Sequence, residues 1–369
     1  MSAPILPPST IGIVGGGQLG RMMTLTAKAM GYRVIILDPS VDSPAAQVAD
    51  DQIVANYDDN SAWEQLSAKS DVITYEFENV DSTLAEKYMS AIPQGYRALQ
   101  VAQHRLQEKN FAEESGVFCH PYKAINSYEN LIVAINILGY PCVLKTCRFG
   151  YDGKGQIVLR SEADLDKCKP LLKQECILES YVSFDKEISV IVTRNKSGSV
   201  YFPINENIHV NGILKYSIVP ARITWDLVSE AQKIATTLVN GLDYTGTLAV
   251  ELFLKDGKLY FNEMAPRPHN SGHYSIEGCN YSQFTTHIRA ICGLPLNPIT
   301  LSQPTVMVNI LGQDLPKVLE YIQLNNAQID SYLHLYGKDE AVVNRKMGHL
   351  TLWGIEIDQL YEISKAIIE

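Results

Sequence analysis

The sequence predicts an α/β protein whose first part carries a doubly wound parallel sheet and whose remainder is α+β. Three observations predict this. Apolar strands alternate with helical stretches over residues 1–115. A glycine turn, residues 15–20 (GGGQLG), joins the first strand to the first helix. Beyond residue 116 hairpin signals replace that alternation, the clearest being Asp256-Gly257 between two apolar runs.

Element by element, residues 11–14 form a short strand, and residues 18–30 a helix stopped by Gly31. Residues 34–37 form the next strand, ending at Asp38, and residues 72–74 a third, running into Tyr75-Glu76-Phe77-Glu78. Ligands of such sheets bind at the carboxyl ends of the strands, here the glycine turn, Asp38-Pro39 and residues 76–79. From 116 to about 195 a smaller α+β unit is expected. It has strands at 140–146, 156–160, 177–182 and 187–194, and a helix at 161–168 opened by a Ser cap. Strands 248–255 and 258–263 then flank Asp256-Gly257, and a helix over 281–292 stops at Gly293 and Pro295. Strands at 306–311, 332–336 and 349–353 and a terminal helix over 358–368 complete the chain. The expected units are 1–115, 116–300 (small lobe to about 195) and 301–369.

The 369 residues carry 31 Lys+Arg against 41 Asp+Glu, a net charge of −10. That balance argues against non-specific nucleic-acid binding. It leaves room for anionic small substrates, since a few local cations outweigh the global charge. No apolar run approaches the ~20 residues of a membrane helix. The first ten residues have no basic residue and no apolar core, so no secretory signal is expected. The seven cysteines form no C-x-x-C pair, as expected of reduced, mostly buried thiols in a cytoplasmic protein.

The glycine turn fits G-x-G-x-x-G between strand and helix, and Asp38 lies eighteen residues beyond Gly20. Glycines there admit an anion to a helix N-terminus, so the motif specifies phosphate without specifying NAD. Lys145 ends an apolar strand and is followed by Gly150, Tyr151, Asp152, Gly153, Lys154, Gly155 and Gln156. A strand lysine with a lysine-bearing glycine loop suits a triphosphate, although an exposed Asp-Gly turn has the same appearance. Glu251 interrupts an apolar strand, and Asn262-Glu263 ends its partner. Buried carboxylates are costly unless paired or metal-bound, and a hard cation such as Mg²⁺ takes oxygen ligands. A two-residue turn alone would pair Glu251 with Asn262 and turn Glu263 to the other face. A three-residue loop or a bulge would put both glutamates on one face, and we expect that irregularity. Pro266 and Pro268 stiffen the segment that carries Arg267 and His269, a pair suited to a small oxyanion. Lys338, Arg345 and Lys346 lie near the C-terminus, within reach of a phosphate or as plain surface charge.

The strings at 15–22 (GGGQLGRM), 75–80 (YEFENV), 150–156 (GYDGKGQ), 206–209 (ENIH) and 262–273 (NEMAPRPHNSGH) are more specific. Together they resemble the 5-(carboxyamino)imidazole ribonucleotide synthase family of the ATP-grasp superfamily, over nearly the whole chain. One departure is visible. Where the family pattern reads Arg-Pro-Gly-Arg-Lys-Met-Gly-His, here Ala341-Val342-Val343-Asn344 precedes Arg345-Lys346-Met347, so the pattern's first arginine has no counterpart.

The resemblance implies an ATP-grasp fold with a Rossmann-like N-terminal domain and a small C-terminal domain, acting as a homodimer. It implies that ATP, bicarbonate and 5-aminoimidazole ribonucleotide give the carboxylated ribonucleotide, ADP and phosphate, through carboxyphosphate. ATP would contact Arg105, Lys145, residues 150–156, Glu179, Ser180, Tyr181, Val182, Glu187, His209, Asn262 and Glu263. Mg²⁺ or Mn²⁺ would bind Glu251 and Glu263. Asp152, Lys154, Arg267 and His269 would serve the chemistry. The ribonucleotide would contact Gly17, Gln18, Leu19, Glu76, Tyr151, Asp152, Lys338, Arg345 and Lys346. An NAD-dependent oxidoreductase using Asp38, another ATP-grasp ligase, or a non-catalytic nucleotide sensor are the rival readings. The first leaves Lys145, Glu251 and Glu263 without a role.

Overall fold

A computed structural model describes residues 3–150, 155–324 and 329–368. Residues 151–154, which include Tyr151, Asp152, Gly153 and Lys154, lie outside the described residues.

Four strands, β1 (Thr10–Val14), β2 (Arg33–Asp38), β3 (Asp51–Val54) and β4 (Val72–Tyr75), form a parallel sheet of order β3-β2-β1-β4. The apolar runs of β1, β2 and β4 are buried on both faces, as parallel sheets require, while β3 is a largely exposed edge strand. On one face Trp63 and Leu66 of the helix Asn60–Lys69 pack against Ile35, Leu37 and Ile73. On the other, Leu19 and Met23 of the helix Gln18–Ala29 meet Phe284, Ile288 and Ile291 from the helix Gln283–Ile291. That second core fixes the first sheet to the central part of the chain. It leaves the segments that follow β1 and β4, Gly17–Leu19 and Glu76–Asn79, facing a common cleft.

The next unit holds β5 (Tyr122–Ile125), β6 (Cys142–Thr146), β7 (Gln156–Leu159) and β8 (Cys176–Ser180), antiparallel in the order β5-β8-β6-β7. The segment expected as a Ser-capped α-helix is instead a 3₁₀ helix, Glu162–Cys168, and Ser161 makes no side-chain cap. Asp164 accepts from the Arg160 amide at 2.8 Å. The Asp164 amide donates to the Ser161 carbonyl at 3.1 Å. This i→i+3 winding is characteristic of short helical pieces.

A nine-stranded sheet makes up the rest. It contains β9 (Lys186–Asn195), β10 (Gly198–Tyr201), β11 (Asn205–Val210), β12 (Ile213–Val219), β13 (Gly246–Lys255), β14 (Lys258–Ala265), β15 (Thr305–Leu311), β16 (Asp330–Leu335) and β17 (Lys346–Trp353). The order is β14-β13-β9-β11-β12-β15-β17-β16, with β10 paired to β9. The C-terminal strands therefore continue the central sheet through antiparallel β12–β15 pairing, Tyr216 opposite Val308. The helix Trp225–Gly241 covers one face with Ala231, Ala235 and Leu238. Among the described residues no helix is long and apolar enough to cross a membrane.

Candidate active site

The β13–β14 hairpin sets the geometry. Lys255 pairs with Lys258, so the turn is the two-residue Asp256-Gly257. Both residues have positive φ, 50° and 73°, as a type I′ turn requires. That register would place Asn262 opposite Glu251. A bulge intervenes: Leu252 pairs with Phe261, but Glu251 pairs with Glu263, and Asn262 is the extra residue. The two glutamates thereby share a face. The irregularity is the bulge and not a three-residue loop.

A bulge leaves backbone groups without ladder partners, and the helix Arg105–Glu114 takes them up. Lys109 Nζ donates to the carbonyls of Phe261 (3.2 Å) and Asn262 (2.8 Å). Glu108 Oε1 accepts from the Met264 amide at 2.6 Å. Arg105 Nη1 donates to Glu263 at 2.9 Å, and its Nη2 reaches the Gly150 carbonyl at 3.4 Å. Glu108 and Lys109 were not foreseen. The signal was available in the spacing: Arg105, Glu108 and Lys109 stand at i, i+3 and i+4, one face of a helix.

Burial dominates the Glu108 environment and, with Glu263 beside it, pushes its carboxyl up to about 8. A raised native pKa gives stability that is complete below the unfolded value of 4.5 and is lost as pH rises toward 8. Glu108→Gln removes this titration and keeps the amide acceptor. It should therefore gain on the wild type by about 1 kcal/mol per pH unit between about pH 5 and 7.5. Urea midpoints of the two proteins at both pH values test this, and parallel pH profiles would contradict it.

These elements wall a cavity of about 710 Å³ between the three sheets. On one side Lys145 donates to Glu179 at 2.7 Å, with Lys109 at 3.9 Å from the other carboxylate oxygen. Burial opposes the Glu179 charge, but Lys109 and Lys145 hold it down at about 2. Across the cavity Glu251, Glu263 and Glu187 converge, with His209 Nδ1 at 3.2 Å from Glu187. Glu251 is driven upward by burial and by the charges of Glu187 and Glu263. Burial also opposes the Glu263 charge, but Arg105 prevails and keeps it ionised. Such an excess of oxygen donors beside one arginine fits a hard divalent cation.

His269 Nδ1 lies 2.9 Å from Ser271 Oγ and 3.7 Å from Glu251. Burial, with Arg267 and Lys346 nearby, lowers its pKa to about 3, so the ring is neutral. Arg267 pairs through Nη2 with Glu78, while its Nε is buried with no partner among the described residues.

At the glycine turn the structure departs from the sequence-based expectation. Glu76 accepts from the amides of Gly17 and Gly20, and Asp38 from that of Gly16 at 2.7 Å. Asp38 also accepts from Tyr57 Oη (2.6 Å) and the Ser40 amide (2.8 Å), so its oxygens are committed within the protein. Glu76 is thus a cap of the first helix, and the Gly17 donor is taken. Gln18 and Leu19, at the first two helical positions, have amides without intrahelical acceptors. Lys338 Nζ reaches Gln18 Oε1 at 3.2 Å, bringing the C-terminal cation to this turn.

Gly17, Gln18, Leu19, Glu76, Arg105, Lys145, Gly150, Gln156, Glu179, Ser180, Tyr181, Val182, Glu187, His209, Glu251, Asn262, Glu263, Arg267, His269, Lys338 and Lys346 all line this one cavity. Two sequence candidates do not. Arg345 is exposed and donates to the Glu340 carbonyl at 3.3 Å, outside the lining. Gly155 has φ 73° and packs where a Cβ would meet Thr146 Oγ1 at 2.7 Å, so it serves the β6–β7 approach. His120, Phe184 and Phe253 also line the cavity and were not anticipated. Phe184 and Phe253 stack at 4.5 Å.

A small antiparallel sheet closing a nucleotide-sized cavity over a larger one, with a lysine on the first and paired glutamates on the second, defines an ATP-grasp ligase. The matching family models are an ATP-grasp domain over residues 110–284, a ribonucleotide synthetase preATP-grasp domain over 9–103, and a phosphoribosylaminoimidazole carboxylase C-terminal domain over 305–362. The chain belongs to the N5-carboxyaminoimidazole ribonucleotide synthase family. It is 48% identical to the Bacillus subtilis synthase over 352 residues, 94% of this chain and 92% of that one. The Staphylococcus aureus enzyme complexed with ADP is 44% identical, with a TM-score of 0.95 over 99% of this chain and 98% of that one. The Aspergillus clavatus enzyme in complex with ADP and 5-aminoimidazole ribonucleotide is 30% identical, with a TM-score of 0.90 over 98% and 97%.

Proposed function

We propose that this chain carboxylates 5-aminoimidazole ribonucleotide with ATP and bicarbonate, forming N5-carboxyaminoimidazole ribonucleotide, ADP and phosphate. One observation carries the reading: the bulge that turns Glu251 and Glu263 together toward Lys145, in the cavity that also holds Arg267 and Lys338. Residues 1–115 would bind the ribonucleotide, 116–300 ATP, and 301–369 would bring cations to the ribonucleotide phosphate.

ATP lies between the sheets. Glu179, Ser180, Tyr181 and Val182 border the adenine, Glu187 and His209 the ribose, and Arg105, Lys145, Gly150, Gln156 and Asn262 the phosphates. Glu251 and Glu263 would hold Mg²⁺ or Mn²⁺, which when bound neutralises phosphate charge. A bicarbonate oxygen attacks the γ-phosphorus and ADP leaves, so positioning and charge compensation are the protein's contribution. Arg267 and neutral His269 hold bicarbonate and then carboxyphosphate, an intermediate that must be kept from water. The exocyclic amine of the ribonucleotide takes the carboxyl group and phosphate departs. Asp152 and Lys154 would serve this transfer and Tyr151 the ribonucleotide, as the family resemblance implies. Gln18, Leu19, Lys338 and Lys346 receive the ribonucleotide phosphate, with Gly17 and Glu76 shaping the turn. The active form is a homodimer, which sedimentation tests.

ADP release measured with each substrate omitted in turn tests the reaction. Release independent of bicarbonate would overturn it. Lys338→Ala should raise the ribonucleotide KM about tenfold with kcat little changed, as loss of a binding contact does. A fall in kcat at constant KM would place Lys338 elsewhere.

A further inference from the structure

Behind the cavity wall, where the helix Arg105–Glu114 meets the end of β6 and the start of β8, three donors of different chemistry meet. One ligand atom from each of His104, Cys147 and Glu175 lies within 4.8 Å of the others. Backbone bonds tie these segments together. The Arg105 amide donates to the Cys147 carbonyl and the Cys147 amide to the Glu175 carbonyl, both at 2.9 Å. The placement is therefore fixed by three elements and does not depend on one mobile side chain.

The hydrogen bonding leaves a vacancy in the chemistry. His104 Nε2 lies 2.9 Å from Glu175 Oε2. A carboxylate there accepts, so the proton sits on Nε2 and Nδ1 carries a lone pair. His104 is 5% exposed, and its Nδ1 is buried without a hydrogen-bond partner among the described residues. A carboxylate that orients an imidazole and fixes its tautomer is the usual outer-shell arrangement of a metal-binding histidine. Cys147 is a free thiol, 2% exposed, and it also lines the cavity, which gives a cation a route in. The Glu175 side chain is 47% exposed, so solvent reaches the cluster and can complete the set.

We propose that His104 Nδ1 and Cys147 Sγ, with Glu175 behind the imidazole, form a binding site for a borderline-soft divalent cation, Zn²⁺ in particular, separate from the Glu251–Glu263 pair. Sulfur and imidazole nitrogen select such ions, and the all-oxygen pair selects hard ones. Zinc bonds of about 2.0–2.3 Å place neighbouring donors about 3.5 Å apart, so binding draws the side chains together. Burial, with Glu175 and Cys176 nearby, pushes the Cys147 thiol up to about 12, so the metal-free sulfur is an unreactive S–H. On binding, the S–H proton leaves to solvent and an S–Zn bond replaces it, with no change of oxidation state.

The test uses the full reduced chain in excess Mg²⁺ and ADP, which occupy the oxygen site. One equivalent of Zn²⁺ should bind, and Co²⁺ should give a sulfur-to-cobalt charge-transfer band with the visible spectrum of a low-coordinate ion. Cys147→Ser should abolish the band, and His104→Gln should weaken Zn²⁺ binding more than tenfold. Glu175→Gln should weaken it about tenfold, while Cys119→Ser leaves the band in place. A wild-type Co²⁺ complex without the sulfur band overturns the proposal without recourse to any variant. So does a band that survives Cys147→Ser.

Discussion

Glu263→Gln lowers kcat by about 10²–10³-fold, the scale of removing a group that compensates charge at the reacting centre. The amide keeps the shape of the carboxylate and loses its charge, so the cation site is left one ligand charge short while the bulge stays intact. Arg105, 2.9 Å away, loses its ionised partner. The Glu263 side chain is 40% exposed, so the loss of that pair is screened and costs only about 1 kcal/mol of stability. Glu251→Gln makes the instructive contrast. Burial and the neighbouring Glu187 and Glu263 charges already favour its protonated form, so the metal-free fold gives up little when it becomes an amide. Turnover should fall just as far. Steady-state rates read alongside thermal unfolding separate the two effects. Near-normal turnover in either variant would remove the carboxylate pair from the reaction.

The same hairpin marks how far the sequence alone could be read. Glu251 inside an apolar strand and Asn262-Glu263 at the end of the next were legible because buried carboxylates demand an explanation. Their common face was only an inference from the chemistry, since an Asp-Gly turn specifies one register and the bulge overrides it. The stabilisation of that bulge was out of reach of local pattern. It depends on Lys109 and Glu108 arriving from a helix about 150 residues earlier in the chain. At the glycine turn the motif was read correctly as a set of backbone donors. Sequence could not say that Glu76 and Asp38, from two other strands, would take up those of Gly16, Gly17 and Gly20. That finding also weakens the oxidoreductase reading, since the acidic residue it would use for ribose is hydrogen-bonded to Tyr57, Gly16 and Ser40. The C-terminal strands were each visible as apolar runs. Their continuity with the central sheet was not, because strand order is a property of pairing across the chain and leaves no local trace.

Arg267→Ala should abolish bicarbonate-dependent ADP release, again by about 10²–10³-fold. The guanidinium is held ready for an anion. Glu78 engages Nη2 and the Pro268 carbonyl accepts from Nη1 at 3.2 Å, so the plane of the group is fixed. Nε is buried and donates to nothing among the described residues. A buried donor left unmatched costs about 1–3 kcal/mol, and that cost is recovered when an oxyanion enters. Neutral His269, beside Ser271, adds a polar contact without adding a charge that would bind the anion too tightly to release it. Alanine removes the fork and strands Glu78 in the wall with an uncompensated charge, which further repels an anion. Arg267→Lys should rescue little, because an ammonium is a point charge and cannot reproduce the planar set of donors. ATP affinity, measured by calorimetry without bicarbonate, should stay close to wild type, since Lys145, Glu179 and Arg105 are untouched. If ADP release keeps its bicarbonate dependence in Arg267→Ala, the oxyanion is held elsewhere, and the unmatched Nε then has no explanation in the reaction.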